Sequence, residues 1–383
     1  MKKIKVLTIF GTRPEAIKMA PLVKQFQGKK DQFECVVCVT AQHREMLDQV
    51  LTVFNIKPDY DLDIMQDKQT LTGITTKALV GLENIIIKEK PDIVLVHGDT
   101  TTTFVGSLAA FYQQIPIGHV EAGLRAFDKY SPYPEEINRQ LTGILADLHF
   151  APTELAAENL NNENKNGENI FITGNTVIDA FKTTVKKDYD HPVLNNLGNK
   201  KLVLMTSHRR ENLGQPMERM FKAIRRLVDS NDDIVVIYPV HLNPVVKEIA
   251  ERVLGRHDRI HLIKPLDVID FHNFEARAHL ILTDSGGLQE EAPAFGVPVL
   301  VLRETTERPE GIEAGTLKLV GTTEEKIYDT AHELLNNQSA YEKMAKSINP
   351  YGDGDASERI AEAILYYFGI NQERPKSFKS NME

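Results

Sequence analysis

Two glycines and two glutamates stand close together in the segment 283–291, which reads TDSGGLQEE. The mostly apolar run 279–282 before it predicts a short buried strand, and 288–295 has the pattern of an opening helix. Glycine lets the backbone approach a ligand closely, and a helix start offers unpaired N–H groups at the positive end of its dipole. Together these features make an anion site that suits phosphate. A carboxylate one turn further along, such as that of Glu291, can accept hydrogen bonds from ribose hydroxyls.

The segment therefore predicts a nucleotide site in which the backbone of Ser285, Gly286 and Gly287 holds a diphosphate. The alternative is an ordinary helix start in which the hydroxyl of Ser285 caps the helix. Other anion-binding and acid/base features along the chain favour the nucleotide site.

Further charged side chains cluster in five segments, most of which follow predicted strands, where doubly wound folds bind their ligands. These segments are 11–18, 97–99, 121–125, 133–139 and 207–212. In the first of them, Arg13 and Lys18 place two cations beside a helix start.

The acid/base candidates are Asp99, Glu121, Glu135 and His208. Each has a structural alternative: Asp99 could cap the threonine-rich helix after it, and Glu121 could form an ion pair with Arg125. Glu135 could be a first-turn carboxylate favoured by the helix dipole, and His208 could be a solvated loop residue. Taken together, three carboxylates, one histidine and two cationic loops at strand ends predict a catalytic cleft between domains.

Composition restricts the classes of function. The 383 residues allow two domains, and the net charge of -9 without any basic tract argues against nucleic-acid binding. No apolar run is long enough to span a membrane. The chain has neither a G-x-G-x-x-G nor a Walker motif and no H-E-x-x-H, so we expect no bound dinucleotide cofactor and no catalytic metal.

The two cysteines, Cys35 and Cys38, lie three apart in a predicted strand. Residues three apart in a strand point to opposite faces, so these thiols can neither chelate a metal together nor readily pair. We expect buried thiols in a cytoplasmic protein.

Short β-branched runs alternate with longer helical patterns, which predicts βαβ units and parallel sheets. The predicted strands are 4–10, 33–40, 92–97, 115–120, 149–151, 170–173, 202–206, 234–239, 260–264, 280–283, 297–302 and 317–320. A polar stretch at 186–201 interrupts the pattern. We therefore predict two doubly wound α/β domains with a boundary between residues 171 and 201, and a solvated, mobile tail after Ile370.

Seven motifs resemble those of the bacterial non-hydrolysing UDP-N-acetylglucosamine 2-epimerases, and the resemblance runs from Lys3 to about Phe368. The motifs are GTRPEAIK at 11–18, VHGDT at 96–100, HVEAGLR at 119–125, TGNTVID at 173–179, HRREN at 208–212, DSGG at 284–287 and PYGDG at 350–354.

The resemblance implies a GT-B-like α/β fold, with two Rossmann-like domains at 1–170 and 171–357 and an interdomain cleft. A C-terminal helix at about 358–370 would cross back to the first domain, and 371–383 would form the mobile tail. It also implies a homodimer that interconverts UDP-GlcNAc and UDP-ManNAc for cell-surface polysaccharides. Family members are described as eliminating UDP to give 2-acetamidoglucal and then adding it back, without a cofactor.

Residue roles follow from the same resemblance. The catalytic set is Asp99, Glu121, Glu135 and His208. The substrate-binding set is Arg13, Lys18, Ser285, Gly286, Gly287, Glu291 and Arg308. A second UDP-GlcNAc, acting as an activator, would contact Gln42, His43, Gln69, Arg209 and His241. At this activator site the chain has Glu45 where some relatives have glutamine.

Three other functions would require only some of these residues. A hydrolysing epimerase would release UDP and free N-acetylmannosamine, but the chain has no room for the added kinase domain of such enzymes. A GT-B glycosyltransferase needs only one base and an acceptor groove. A non-catalytic nucleotide-sugar sensor would keep the glycine turn without needing the three carboxylates.

Overall fold

Two parallel sheets, each built from strands that alternate with helices along the chain, form the framework of the protein. The computed structural model describes residues 3–41, 44–66 and 69–380, apart from the side chain at position 45. The first compact unit comprises Met1–Thr183 with Tyr351–Lys379, and the second is formed chiefly by Thr184–Pro350. Each unit has its own sheet and its own hydrophobic core.

Within the described ranges, the first sheet has seven strands and the second has six. The first sheet contains β1 (Ile4–Phe10), β2 (Phe33–Val39), β3 (Tyr60–Asp61), β4 (Ile93–His97), β5 (Ile117–Val120), β6 (Leu148–Ala151) and β7 (Ile170–Ile172). The second contains β8 (Lys201–Thr206), β9 (Ile234–Pro239), β10 (Ile260–Ile263), β11 (Leu280–Thr283), β12 (Val299–Val301) and β13 (Leu317–Leu319).

Helices connect these strands. In the first unit they are α1 (Arg13–Gly28), α2 (Arg44–Val53), α3 (Leu71–Glu89), α4 (Thr101–Tyr112), α5 (Glu135–Leu145), α6 (Glu154–Asn162) and α7 (Thr176–Thr184, whose last residue lies in the second unit). The second unit continues with α8 (Pro192–Asn195), α9 (Gln215–Asp229), α10 (Pro244–Leu254), α11 (Val268–Glu275), α12 (Gly286–Glu291), α13 (Pro309–Glu313), α14 (Glu324–Asn336) and α15 (Gln338–Ala345). The last helix, α16 (Ala356–Tyr367), belongs to the first unit. Short 3-10 turns occur at Gly167–Asn169, Arg210–Asn212 and Ala292–Phe295.

The twelve predicted strands are confirmed, with ends that move by up to two residues. The strands that begin at Ile117 and Val299 start two residues later than predicted, because Pro116 and Pro298 carry no N–H for the ladder. The two-residue strand β3 was not predicted, because so short a stretch leaves no pattern in the sequence.

The strands lie in the order β3-β2-β1-β4-β5-β6-β7 in the first sheet and β10-β9-β8-β11-β12-β13 in the second. Connections run in opposite directions from β1 and β4, and likewise from β8 and β11. At such a switch point the loops diverge and leave a crevice at the carboxyl ends of the strands. Four of the segments predicted to carry chemistry, 11–18, 97–99, 207–212 and 283–291, lie at the ends of these four central strands.

The start of α1 is tied to the start of α4 at the first switch point. The Glu15 carboxylate accepts hydrogen bonds from the backbone N–H groups of Gly11 and Thr12 at 3.0 and 2.8 Å. It also accepts one from the hydroxyl of Thr100 at 2.7 Å. Glu15 is buried and binds donors from both loops, so it fixes the two helix starts relative to each other.

The two compact units divide the chain at Thr183/Thr184, later than the domain boundary at residue 170 that the resemblance implied. Strand β7 explains the difference, because it pairs in parallel with β6 and completes the first sheet. Helix α16 packs against α1 in the first unit. Its N-terminus is held by the buried Asp179, which accepts hydrogen bonds from the N–H groups of Ala356 and Ser357 at 3.2 and 2.8 Å.

The tail after Ile370, expected to be solvated and mobile, is attached to the first unit over its described part. Phe378 is buried, and its N–H donates to the carbonyl of Ile172 at 2.8 Å. The guanidinium of Arg374 lies 4.3 Å from the ring centre of Phe171 and donates to the carbonyls of Glu168 and Ile170. A mainly polar sequence thus carries two anchoring side chains that composition alone does not reveal.

In the described part of the chain, no helix has the length and apolar character needed to cross a membrane. Cys35 and Cys38 lie in β2 as free thiols, which confirms that they do not pair. Burial raises the pKa of each thiol to about 12, with the nearby carboxylates of Asp59 and Asp61 adding to the effect. Both thiols are therefore unreactive at neutral pH.

Candidate active site

Glu121, one of the predicted acid/base carboxylates, lies directly after β5 with its backbone in the left-handed region, at φ 61°. A residue other than glycine rarely adopts this conformation unless its surroundings hold it there. The side chain is 7% exposed and accepts hydrogen bonds from the ammonium of Lys18 and from Asn175 Nδ2, the latter at 3.0 Å. His97 Nε2 lies 3.6 Å from the same carboxylate oxygen.

Arg139 joins Glu121 to Asp99. Its guanidinium donates to the carbonyl of Glu121, lies 3.4 Å from the Glu121 carboxylate, and donates to the carboxylate of Asp99. From the same helix, Asn138 Nδ2 donates to the carbonyl of Asp99 at 3.0 Å. Two of the three predicted carboxylates therefore share one buried arginine from α5.

The charges around Glu121 determine its protonation state. Burial alone would raise the pKa of Glu121, but Lys18, His97 and Arg139 outweigh burial and hold it well below its ordinary value of 4.5. The group is therefore ionised at neutral pH. In this ionised form Glu121 can accept a proton or stabilise developing positive charge, but it has no proton to donate.

Glu135 is the first residue of α5, and Arg13 is the first residue of α1. Both side chains are half-buried and make further interactions. Glu135 precedes Arg139 by one helical turn, so the helix that carries this predicted carboxylate also supplies the arginine of the cluster.

Two of the structural alternatives for this unit are wrong. The cap of α4 is Thr100, whose hydroxyl accepts from the N–H of Thr103 at 3.1 Å, so Asp99 does not cap that helix. Arg125 pairs with Glu163 through two hydrogen bonds of 2.6 and 2.8 Å, so Glu121 takes its cations from Lys18 and Arg139 instead.

Three members of the cluster were not assigned a role from the sequence. Arg139 has a sequence signal, the four-residue spacing from Glu135 on one helix. Asn175 lies in the TGNTVID motif, but its contact with Glu121 spans 54 residues of the chain. His97 is 4% exposed, and neither of its ring nitrogens has a hydrogen-bond partner among the described residues.

In the second unit, the fully buried carboxylate of Asp284 organises the loop after β8. It accepts hydrogen bonds from the backbone N–H groups of His208 and Arg209 at 3.0 Å each. The hydroxyl of Ser207 and the amide of Asn212 donate to it at 3.1 and 3.0 Å. The first residue of the DSGG motif therefore binds the HRREN loop and fixes the backbone that carries His208.

Helix α12 begins at Gly286, two residues before the predicted helix start. Ser285 occupies the cap position, but its side chain makes no capping hydrogen bond, which disfavours the simple helix-start alternative. Neither Gly286 nor Gly287 has a positive φ. A Cβ placed on Gly286 would lie 3.7 Å from Arg209 Nη2 and 3.9 Å from Arg308 Nη2, so two guanidinium groups stand beside this turn.

Arg209 and His241, both assigned to the activator set, lie close to His208. The rings of His208 and His241 stack with centroids 5.5 Å apart and 15° between their planes. Burial lowers the pKa of His208, and His241 and Arg209 lower it further, against the opposing effect of Asp284. His208 is therefore neutral at physiological pH and can accept a hydrogen bond from a ligand.

The remaining activator residues are only partly described. Gln69 lies two residues before α3. Gln42 and His43 are outside the described residues.

Glu291, the predicted ribose ligand, closes α12 and is half-buried. Ligand atoms of His272, Glu275 and Glu291 all lie within 4.8 Å of one another. Arg308, predicted to bind substrate, donates to the buried carboxylate of Glu290.

The two doubly wound sheets and the polar groups at their switch points define a GT-B-like α/β enzyme. The family model for UDP-N-acetylglucosamine 2-epimerase matches residues 25–365 of the chain. The UDP-N-acetylglucosamine 2-epimerase of Bacillus subtilis (strain 168) is 64% identical over 378 residues, which cover 99% of each chain. The chain belongs to the UDP-N-acetylglucosamine 2-epimerase family, and it is an isomerase.

Solved structures agree with this assignment. The S. aureus MnaA-UDP co-structure superposes with a TM-score of 0.90 at 59% identity, covering 98% of this chain and 100% of that chain. UDP-GlcNAc 2-epimerase from Neisseria meningitidis bound to UDP-GlcNAc superposes with a TM-score of 0.87 at 48% identity, covering 95% of this chain and 100% of that chain.

The ion cluster predicts an acid-dependent effect of Glu121→Gln. The variant removes the buried counter-charge of Lys18 and leaves Arg139 paired with Asp99, and the loss of a buried ion-pair partner typically costs about 3 kcal/mol or more of unfolding free energy near pH 7. A carboxyl group whose pKa is depressed by folding stabilises the protein above its ordinary pKa, and this contribution is lost as the pH falls through the folded value. The stability difference between the wild type and the variant should therefore shrink as the pH drops below about 4.5.

Urea unfolding at several pH values measures this difference. Glu333→Gln is the matched control, because Glu333 pairs with Lys318 and their side chains are 49% and 50% exposed, and such exposed pairs contribute about 1 kcal/mol or less. A Glu121→Gln variant as stable as the wild type at pH 7 would contradict the cluster's electrostatic role.

Proposed function

We propose that the protein interconverts UDP-GlcNAc and UDP-ManNAc by inversion at C2 of the sugar. The observation that supports this most directly is the buried, ionised Glu121 beside Asp99, Lys18 and Arg139, in a chain of this family. The C2 hydrogen of the sugar is not next to a carbonyl, so a carboxylate cannot remove it at a useful rate without prior activation. Breaking the C1–O bond to UDP gives C1 oxocarbenium character and thereby acidifies the C2 hydrogen.

The reaction then has two balanced halves. In the first, the C1–O bond breaks, UDP leaves with the bonding electrons, and a carboxylate takes the C2 proton to give 2-acetamidoglucal. In the second, a proton is delivered to the opposite face of C2 and a diphosphate oxygen of UDP attacks C1. This route requires one acid/base group for each face and strong stabilisation of the leaving diphosphate.

The first unit supplies the acid/base groups in this proposal. Asp99, Glu121 and Glu135 are the candidates, and Arg13 and Lys18 face the reacting sugar diphosphate. Lys18 links the removal of the C2 proton to the stabilisation of the leaving diphosphate, because its ammonium is one of the cations that keep the pKa of Glu121 low. If the diphosphate draws this ammonium away, Glu121 becomes a stronger base at the moment when the C2 proton becomes acidic.

The second unit binds the UDP portion in this proposal. The backbone at Ser285, Gly286 and Gly287 would contact the diphosphate, with the guanidinium groups of Arg209 and Arg308 nearby. Glu291 would accept hydrogen bonds from the ribose hydroxyls. Neutral His208 would accept or donate a hydrogen bond at the reacting diphosphate.

We place this reaction in the non-hydrolysing branch, in the cytoplasm, as a supply of precursors for cell-surface polysaccharide. The 2-epimerase from Bacillus subtilis aligns with 99% of this chain and over 99% of its own length, which supports this placement. A second UDP-GlcNAc would act as activator through Gln42, His43, Gln69, Arg209 and His241. The stacking of His241 on His208 would connect such an activator to the catalytic histidine.

The protein would act as a homodimer joined through α4 and α5. These helices pack against each other and carry the exposed apolar residues Phe111, Tyr112, Leu141 and Ile144. Apolar side chains grouped on neighbouring helices are typical of an interface between subunits.

Incorporation of deuterium at C2 of the sugar tests the elimination route. With UDP-GlcNAc in heavy water and no added NAD or metal, we expect deuterium at sugar C2 in both epimers, because the proton removed from one face exchanges with solvent before re-addition. Proton NMR of the C2 signal measures this. Full epimerisation with protium retained at C2 would exclude exchange-coupled elimination, and a strict need for NAD would indicate oxidation at another carbon.

Two substitutions should separate chemistry from nucleotide binding. Asp99→Asn should lower turnover by about 10²–10⁴-fold and leave UDP affinity nearly unchanged, because it removes an acid/base group of the first unit. Gly286→Val should sharply weaken UDP binding, because its branched side chain would occupy the space in front of Arg209 and Arg308.

Calorimetric titrations measure the UDP affinity of each variant, and thermal midpoints measure its stability. Gly286 has no positive φ, so valine there adds no backbone strain and the variant should fold. A Gly286→Val protein that binds UDP as tightly as the wild type would move the phosphate site away from this turn.

The dimer proposal predicts that Ile144→Asp reduces the mass measured by light scattering from that of two chains to that of one. A buried aspartate at an apolar interface would be desolvated without a partner. Leu242→Asp is the control, because Leu242 is as exposed as Ile144 but lies in the second unit. A wild-type mass of about 43.2 kDa, that of one chain, would rule the homodimer out.

A further inference from the structure

Glu275, the last residue of α11, is a buried acid that has no role in the proposed reaction. The residue is 0% exposed, and neither of its carboxylate oxygens has a hydrogen-bond partner among the described residues. Its neighbours Phe274 and Ala278 belong to the apolar core on one face of the second sheet. A polar group in such a place is costly unless another group satisfies it.

The carboxyl group lies beside that of Glu291. Oxygen atoms of the two residues and a ring nitrogen of His272 are within 4.8 Å of one another. Two carboxylates at this separation repel each other, which favours the protonation of one of them. The more deeply buried member holds the proton, because burial penalises its charged form more strongly than that of the half-buried Glu291.

The pKa of Glu275 has the direction that this protonation requires. Burial raises it well above the ordinary value of 4.5, and the negative charge of Glu291 raises it further. The titratable groups that face Glu275 are His272 on its own helix and Glu291 on α12. No cation of the described chain lowers the pKa of Glu275, in contrast to Glu121.

We propose that Glu275 is a positioning residue that remains protonated and donates its O–H to the carboxylate of Glu291. This inference rests on the proposed role of Glu291 as the ribose ligand of UDP. By occupying one oxygen of Glu291, the donor fixes the orientation of that carboxylate and leaves its remaining lone pairs for the ribose hydroxyls. Glu275 thus contributes to the recognition of ribose without touching the nucleotide.

Local packing limits the positions that Glu291 can take. A Cβ on Gly287 would stand 3.2 Å from Glu291 Oε1, so the absence of a side chain at residue 287 leaves room for this carboxylate. On the other side, His272 Nδ1 is hydrogen-bonded to the hydroxyl of Thr184 at 2.8 Å. A hydrogen bond from Glu275 selects one orientation within this space.

A cation held by His272, Glu275 and Glu291 is the competing arrangement. It would use His272 Nε2 as a ligand, since His272 Nδ1 shares a hydrogen bond with Thr184. A proton satisfies both carboxyl groups without that further ligand. The experiment below distinguishes the two.

The test compares UDP with its 2′-deoxy and 3′-deoxy analogues by calorimetry, since the affinity ratio reports ribose recognition and is independent of the folded fraction. The wild type should prefer UDP by about tenfold over the analogue that lacks the hydroxyl bound by Glu291. Glu275→Gln should keep this preference because its amide still donates to Glu291. Glu275→Ala should reduce it to about twofold.

Phe274→Leu is the matched structural control, because it alters core packing on the same helix without removing the donor. It should lower the thermal midpoint and leave the affinity ratio unchanged. If Glu275→Ala keeps the full preference for UDP, Glu275 does not position Glu291. If the wild type binds no UDP at all, the proposed function itself fails, which is a different result.

A second readout uses the thermal midpoint across pH and covers the case in which the alanine variant does not fold. A carboxyl group whose pKa is raised by folding destabilises the protein progressively as the pH rises from the ordinary value towards the raised one. The Glu275→Gln variant, which cannot ionise, should therefore gain on the wild type from pH 5 to pH 8. No gain, or an affinity ratio that changes when EDTA or a divalent cation is added, would overturn the proposed protonation of Glu275.

Discussion

The burial of a single carboxylate at the end of a parallel strand is the constraint on which the first half of this structure depends. Glu121 is 7% exposed and charged, so its surroundings must compensate it. The compensation comes from Lys18 on α1, Arg139 on α5 and Asn175 just before α7. Three helices that are distant in the sequence are thereby aligned at the carboxyl edge of one sheet, and the positive φ of Glu121 is held by the same contacts.

The second unit also contains a buried carboxylate after a central strand, but its hydrogen-bond donors differ from those of Glu121. Asp284 is fully buried after β11, and its donors are backbone N–H groups and small polar side chains of the loop after β8. Neutral donors organise a loop without adding net charge, so the cations of that loop stay available for a ligand. Asp284 thus holds the backbone of His208 and Arg209 in place, whereas Glu121 is held by charged side chains.

The sequence could predict the strands and the placing of candidate site residues after strand ends, because both depend on local patterns. Apolar runs between helical periods identified twelve strands, and polar residues directly after them identified the carboxyl edge. Partner choice was harder to predict. Arg125 is only four residues from Glu121, yet it pairs with Glu163 near α6, and the arginine that reaches Glu121 is 18 residues away. Such pairings depend on the direction in which a turn leaves the sheet, which the sequence alone does not give.

Two buried carboxyl groups of this chain have pKa values shifted in opposite directions, and the difference follows from their neighbours. Around Glu121, cations outweigh desolvation, so the group is an acceptor at neutral pH. Around Glu275, desolvation is reinforced by the adjacent Glu291, so the pKa is raised well above 4.5, the direction that a hydrogen-bond donor requires. Glutamate can therefore serve both as a proton acceptor in one unit and as a hydrogen-bond donor in the other. Because burial is nearly complete at both positions, the identity of the nearest charged side chain, a lysine or a second glutamate, determines which role each residue takes.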